Sequence, residues 1–136
     1  MASIQMGRGS DQAIRLFEKL ESMPDTVVGG ALEAAGDIVH RRVIATGEAM
    51  GVFRTGQVVA SFRRGKAERD GGTMSVEIKP TGSRTDGNKR TNSEVAFINE
   101  YGKRGQPPRP FMRTAADKSE DEIERVIAQR IDEYIG

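Results

Sequence analysis

The chain has 136 residues, of which 36% are apolar, 30% charged and only 5% aromatic, with no tryptophan and no cysteine. That size allows one domain around a small core helped by partner chains, and the missing cysteine excludes disulfides and thiolate metal sites. Net charge is +1, but residues 1–53 carry 5 basic and 7 acidic groups, residues 54–113 carry 13 and 6, and residues 114–136 carry 3 and 7.

A basic middle between acidic flanks is steered toward phosphate, or toward the acidic end of a neighbouring copy. No apolar run approaches the ~18 residues that span a bilayer. The opening MASIQMGRGSDQ lacks an apolar signal segment. A soluble protein made in the cytoplasm, with no membrane contact, is the expectation. Residues 1–10 are expected to be a flexible N-terminus, and residues 11–136 a single domain.

Ser10 or Asp11 can cap a first helix that aligns Ile14, Phe17 and Leu20. Met23-Pro24 ends it, because the residue before proline disfavours helical backbone. Asp25 then caps a longer helix with Val28, Ala31, Leu32, Ala35, Ile38, Val39 and Val43 at helical spacing. Gly29, Gly30 and Gly36 lie among them, which permits close approach of another backbone at a cost in helix stability. Thr46-Gly47 and Met50-Gly51 punctuate its exit, and Thr55 can cap a short turn into extended chain. SFRRGKAERDGGTMSVEIKP predicts two strands around an Asp70-Gly71-Gly72 turn. In the second strand Met74, Val76 and Ile78 alternate with Ser75, Glu77 and Lys79 until Pro80 closes it.

Residues 81–93 hold no large apolar side chain and predict a mobile loop. EVAFINEYG, residues 94–102, predicts a third strand. The last helix carries Ile123, Val126, Ile127, Ile131, Tyr134 and Ile135 on one stripe. Ser119 and Glu122 have the spacing of a capping box, although the helix could begin as early as Thr114. The order predicts an α+β fold: two N-terminal helices, a small mainly antiparallel sheet with a long mobile loop, and a C-terminal helix packed on the sheet.

Catalytic residues are not evident. His40 is the sole histidine and stands beside Arg41 and Arg42, a setting that suits a surface or packing role more than acid–base work. The acids Glu120, Asp121, Glu122 and Glu124 fit a solvated helix face better than a cation site. TGSRTDGNKR lacks the lysine, hydroxyl residue and following helix of a phosphate loop, and no nucleophile elbow is present. No enzyme activity, cofactor or metal is expected. Arg63, Arg64, Lys66, Arg69, Arg84, Lys89 and Arg90 would suit phosphate contacts, but no helix-turn-helix, zinc finger or aromatic-rich strand accompanies them.

NEYGKRGQPPRPF, residues 99–111, predicts a rigid junction. Tyr101 ends the strand on apolar surface, Gly102 permits a turn, and Lys103 to Gln106 form an exposed tip. Pro107, Pro108 and Pro110 hold an extended path, and Phe111 anchors the last helix. Arg109 is left to pair with an acid nearby or across a subunit boundary.

Two segments resemble the small head–tail joining proteins of long-tailed phages and prophages, also called tail-completion or neck proteins. One is RTGQVVASF with Thr55, Gly56 and Ser61, where Val58 replaces a usual leucine and Val59 a common basic residue. The other is AFINEYGKRGQPPRPFMRTAAD, with Glu100, Tyr101 and Gly102, then Pro108, Arg109, Pro110 and Phe111, joined by a Lys103–Gln106 link unlike the commoner Gly-Thr opening. The resemblance spans residues 11–136. It implies a non-enzymatic virion protein of tail or neck, forming a homo-oligomeric ring of about six copies around the DNA channel. Its expected partners are other connector and tail-tube proteins, with non-specific contact to genomic DNA in the lumen. Lys103, Arg104, Arg109, Arg84, Lys89 and Arg90 are the candidate inter-subunit or partner contacts. A tail terminator of the same fold is the alternative, and a stand-alone nucleic-acid-binding module a further one.

Overall fold

The computed structural model describes residues 11–52, Val58, 61–82 and 91–136. In chain order these form α1 (Asp11–Glu21), α2 (Asp25–Ala49), β1 (Phe62–Arg64), β2 (Glu68–Asp70), β3 (Thr73–Ser75), β4 (Ile78–Pro80), α3 (Asn92–Tyr101) and α4 (Phe111–Ile135). The fold is α+β, with four helices and four short strands among the described residues. Every strand pairing is antiparallel: β1 with β4, and β2 with β3 around Gly71 and Gly72. The predicted hairpin is therefore present, but interrupted near Gly65 and Val76 into two ribbons. Val76 and Ile78 are buried and Ser75, Glu77 and Lys79 exposed, as the alternation required.

The core is the seam between α2 and α4. From α2 come Val28, Ala31, Ala35, Ile38, Val39 and Val43, all buried. From α4 come Phe111, Ala115, Ser119, Ile123, Ile127 and Ile131, at a step of four. A step of four overshoots one helical turn by about 40°, so over this length the buried line winds about 200° around α4. The two ends of α4 therefore bury nearly opposite faces. At its start the Phe111 ring meets the Phe62 ring of β1 edge-on, with centroids 6.0 Å apart and planes at 86°. Farther along, the helix lies on α2 and touches α1. Ser119 is the one polar residue of the line, and its Oγ donates to the Ala115 carbonyl at 2.7 Å.

A second face of α2 carries the β-ribbons. Gly36 lies so close to them that a Cβ there would stand 2.8 Å from Val76 Cγ1 and 2.9 Å from Arg64 Cδ. Acidic side chains flank this glycine row. Glu33 Oε2 accepts from the Ala67 amide at 2.9 Å, and Asp37 receives Arg64. Asp25 accepts two bonds from the Arg69 guanidinium, at 3.0 and 2.7 Å. These bonds, above all, hold the Asp25 carboxyl below the usual carboxylate range. His40 donates from Nε2 to the Phe62 carbonyl at 3.1 Å, so the sole histidine ties α2 to β1.

Four expectations need correction. Residues 94–102 are not a strand but most of α3. Thr91 Oγ1 accepts from the Glu94 amide at 3.1 Å, the capping geometry announced by Thr-Asn-Ser-Glu. Ala96, Asn99 and Glu100 are buried at helical spacing, which the run Val95–Ile98 had masked. Ser119 and Glu122 lie inside α4, which starts at Phe111. Pro24, with extended backbone, occupies the N-cap of α2 in place of Asp25, whose carboxylate is spent on Arg69. Ile14 is 48% exposed, and Tyr134 and Ile135 likewise leave the core. Residues 1–10 and 83–90, which include most of the expected mobile loop, lie outside the described residues.

The two α2 glycines should respond oppositely to alanine. Nothing lies within 4 Å of a Cβ at Gly30, so Gly30→Ala should stabilise the fold by about 1 kcal/mol through helix propensity alone. At Gly36 the same gain meets overpacking of roughly 1–3 kcal/mol against the stiff Val76 side chain. Gly36→Ala should therefore lower the urea midpoint while Gly30→Ala raises it. Equal stabilisation by both would show that α2 and the ribbons do not meet as closely as described.

Candidate functional site

The connector from α3 to α4 holds most of the residues singled out in the sequence. Gly102 follows α3 with φ +77° and ψ 175°, a backbone region almost restricted to glycine. A Cβ at Gly102 would also stand 2.8 Å from the Gln106 carbonyl oxygen and the Pro108 nitrogen. The chain then makes a tight turn in which the Lys103 and Gln106 backbones exchange hydrogen bonds at 3.0 and 2.9 Å. Gly105 takes the positive φ of that turn at +83°. Lys103 and Arg104 project from it, exposed.

The return path is pinned at three points. The Arg109 amide donates to the Asn99 carbonyl at 2.6 Å. Arg109 Nη1 donates to the Gly51 carbonyl at 3.2 Å, so this guanidinium ties the connector to the exit of α2. Phe111 is fully buried against Phe62. Pro110 at the N-cap of α4 offers no side-chain acceptor to the helix amides. Glu100 supplies what is missing: Oε1 accepts from the Met112 amide at 2.8 Å and Oε2 from the Arg113 amide at 3.1 Å. A carboxylate 5% exposed is thus satisfied by the positive end of a helix that starts eleven residues downstream. Glu-Tyr-Gly and Pro-Arg-Pro-Phe are two halves of one device, the first capping the helix that the second begins.

Tyr101 does not sit on apolar surface as its sequence context suggests. It is 64% exposed at the end of α3 and packs against Phe97, itself 57% exposed, with centroids 4.7 Å apart and planes tilted at 46°. Beside Tyr101 the turn encloses an open recess of about 480 Å³, also lined by Gly102, Lys103, Gln106 and Pro108. The first motif is only partly described: Ser61 is buried and its Oγ donates to the Val58 carbonyl at 2.6 Å. Thr55, Gly56, Arg84, Lys89 and Arg90 lie outside the described residues.

The chain matches no family model, no curated protein and no solved structure. What the site can do must come from its own chemistry. Among the described residues no group of acids and histidine is arranged to hold a metal ion, and no helix is long and apolar enough to cross a membrane. Glu122 of the acidic cluster pairs with Arg41 at 3.6 Å and Arg42 at 3.4 Å. Of the basic residues suited to phosphate, Arg64 and Arg69 are paired with the carboxylates of α2. The connector is built to present a basic tip and an aromatic pair rigidly. Phe97 was missed in the sequence, as were the bonds that Asn99 and Gly51 make to Arg109. The Thr91–Glu94 capping box was the signal that could have placed Phe97 and Tyr101 one turn apart on a helix.

Removal of either half of the device should be costly. Glu100→Ala should destabilise by about 1–3 kcal/mol, since two charge-assisted bonds to a helix terminus are lost, and Glu100→Gln should recover part of it. Phe111→Ala should cost roughly 3–5 kcal/mol. Chemical denaturation of the three variants decides this, and a cost below about 1 kcal/mol for Phe111→Ala would mean that its ring is not core.

Proposed function

We propose that this chain is a structural subunit of the head–tail junction of a long-tailed phage or prophage, assembling as a ring around the DNA channel and catalysing nothing. The observation that carries this reading is the connector. Among the residues by which the sequence resembles neck proteins, Glu100, Gly102, Arg109 and Phe111 help to fix the connector's shape. Such a device uses Glu100 and the Arg109 amide for rigidity and leaves outward a basic turn, the path Pro107–Arg109 and two aromatic rings, as suits a part that docks on other protein. The small core agrees with a subunit stabilised by neighbours. In this reading the protein is made in the host cytoplasm and ends in the virion, beside other connector and tail-tube proteins.

Deleting the gene in its phage or prophage background should leave filled heads and separate tails, and the chain supplied in trans should restore joined particles. Electron microscopy of those particles should then show its density at the neck. Density capping tails that lack heads would make it a tail terminator. Joined, infectious particles formed without the chain would sink both assignments.

A further inference from the structure

We propose that copies of this chain associate head to tail, the connector tip of one seating on the far end of α4 of the next. This names the surfaces of the ring proposed above, and rests on that reading for closure of the ring but not for the contact itself. Of the five large apolar side chains described as exposed, four fall into two groups. Phe97 and Tyr101 pack against each other at the end of α3, and Tyr134 and Ile135 end α4. Each group adjoins charge of one predominant sign. Lys103 and Arg104 stand beside Tyr101, and Asp132 and Glu133 precede Tyr134, with Arg130 one turn back.

None of Lys103, Arg104, Asp132 and Glu133 belongs to an ion pair among the described residues. Glu133 only accepts a 3.3 Å bond from Gln129. Asp25, Glu33 and Asp37 of α2, by contrast, are already matched to arginines of the ribbons. Other surface charges among the described residues are unpaired too, but these two patches are where unpaired charge adjoins a pair of exposed large apolar side chains, basic and aromatic on one, acidic and apolar on the other.

The two patches cannot meet within one molecule. Glu100 fixes the tip at the start of α4, bonded to the Met112 and Arg113 amides. Tyr134 lies 22 residues beyond Met112, which is about 33 Å along a helix. A rigid rod with complementary ends satisfies both only through other copies. Placed head to tail, the contact is heterologous and extends from copy to copy until it closes. An antiparallel pair would instead satisfy both ends and stop at a dimer, so charge-sensitive dimers that grow no further would overturn the head-to-tail arrangement.

Sedimentation velocity of the purified chain at rising concentration tests this, with two charge-reversed variants at exposed positions. The wild type should form oligomers that weaken as salt rises. K103E/R104E and D132K/E133K should each raise the association midpoint at least about tenfold, because each places like charges across the contact. An equimolar mixture of the two should regain association, since every junction in it again pairs opposite signs. The four-fold reversal in one chain should regain it too. Phe97→Ser with Tyr101→Ser should abolish assembly, with helical circular dichroism unchanged in every variant. A wild type that stays monomeric to about 1 mM, or oligomers indifferent to both reversals, would overturn the proposal. Charge-sensitive oligomers that grow without a limiting size would keep the contact and remove the closed ring. A closed ring indifferent to reversal would do the opposite.

Discussion

α2 accepts neighbours on two faces, and the shape of the rest follows from how near they come. On one face Ala31 and Ala35 let α4 lie close, so a core with few aromatics still excludes water. On another, Gly36 removes the Cβ that would strike Val76 and Arg64. The helix interior gives up intrinsic stability for this, on the order of 1 kcal/mol per glycine. Burial of the aliphatic residues along the seam contributes roughly 1.5–3 kcal/mol for each large side chain. Propensity is therefore subordinate to packing along α2, and the helix holds because both partners are in place.

Order reaches α4 by a longer route. Its first turn begins after proline and has no local cap, yet it must be fixed, because Phe111 there closes the core over Phe62. The carboxylate that caps it belongs to another helix, and that carboxylate is placed by Asn99 and Gly102, which set the path of the chain between them. Arg109 then joins the same connector to the exit of α2 at Gly51. The connector thus couples the ends of three helices, so the tip moves with the core.

The sequence was legible where one physical demand dominated. The apolar line of α2, the alternation of Met74, Val76 and Ile78, and the α+β class all follow from periodicity. It misled where two demands overlapped. Val95-Ala96-Phe97-Ile98 satisfies strand and helix equally in a short window, and the buried Asn99 and Glu100 look exposed until their backbone partners are known. The capping box at Thr91 would have settled the period. In the last helix the reverse occurred: Ser119 and Glu122 imitate a cap, while the true one, Glu100, lies outside the helix altogether. Long-range capping leaves no local spacing to read. Gly102 was legible as a turn but not as the point where two backbone atoms lie 2.8 Å from where a Cβ would stand.

The unmatched patches also bear on how strong any contact between copies can be. The four exposed apolar side chains offer surface on the order of 500 Å², far below the roughly 1,200–2,000 Å² of a stable pairwise interface. The flanking charges add steering and register more than affinity. A single tip-to-helix contact is therefore weak, and an open pair of copies dissociates readily. Closure changes this, because the last contact in a ring forms within one assembly and costs no further loss of free translation. On the proposed contact, a subunit with such ends would stay dispersed while scarce and assemble where something else gathers it. In the proposed junction role, that property would suit a part added late, on a template that already fixes the geometry. It also limits the hazard of a heterologous surface, since indefinite chains require each contact to be strong alone.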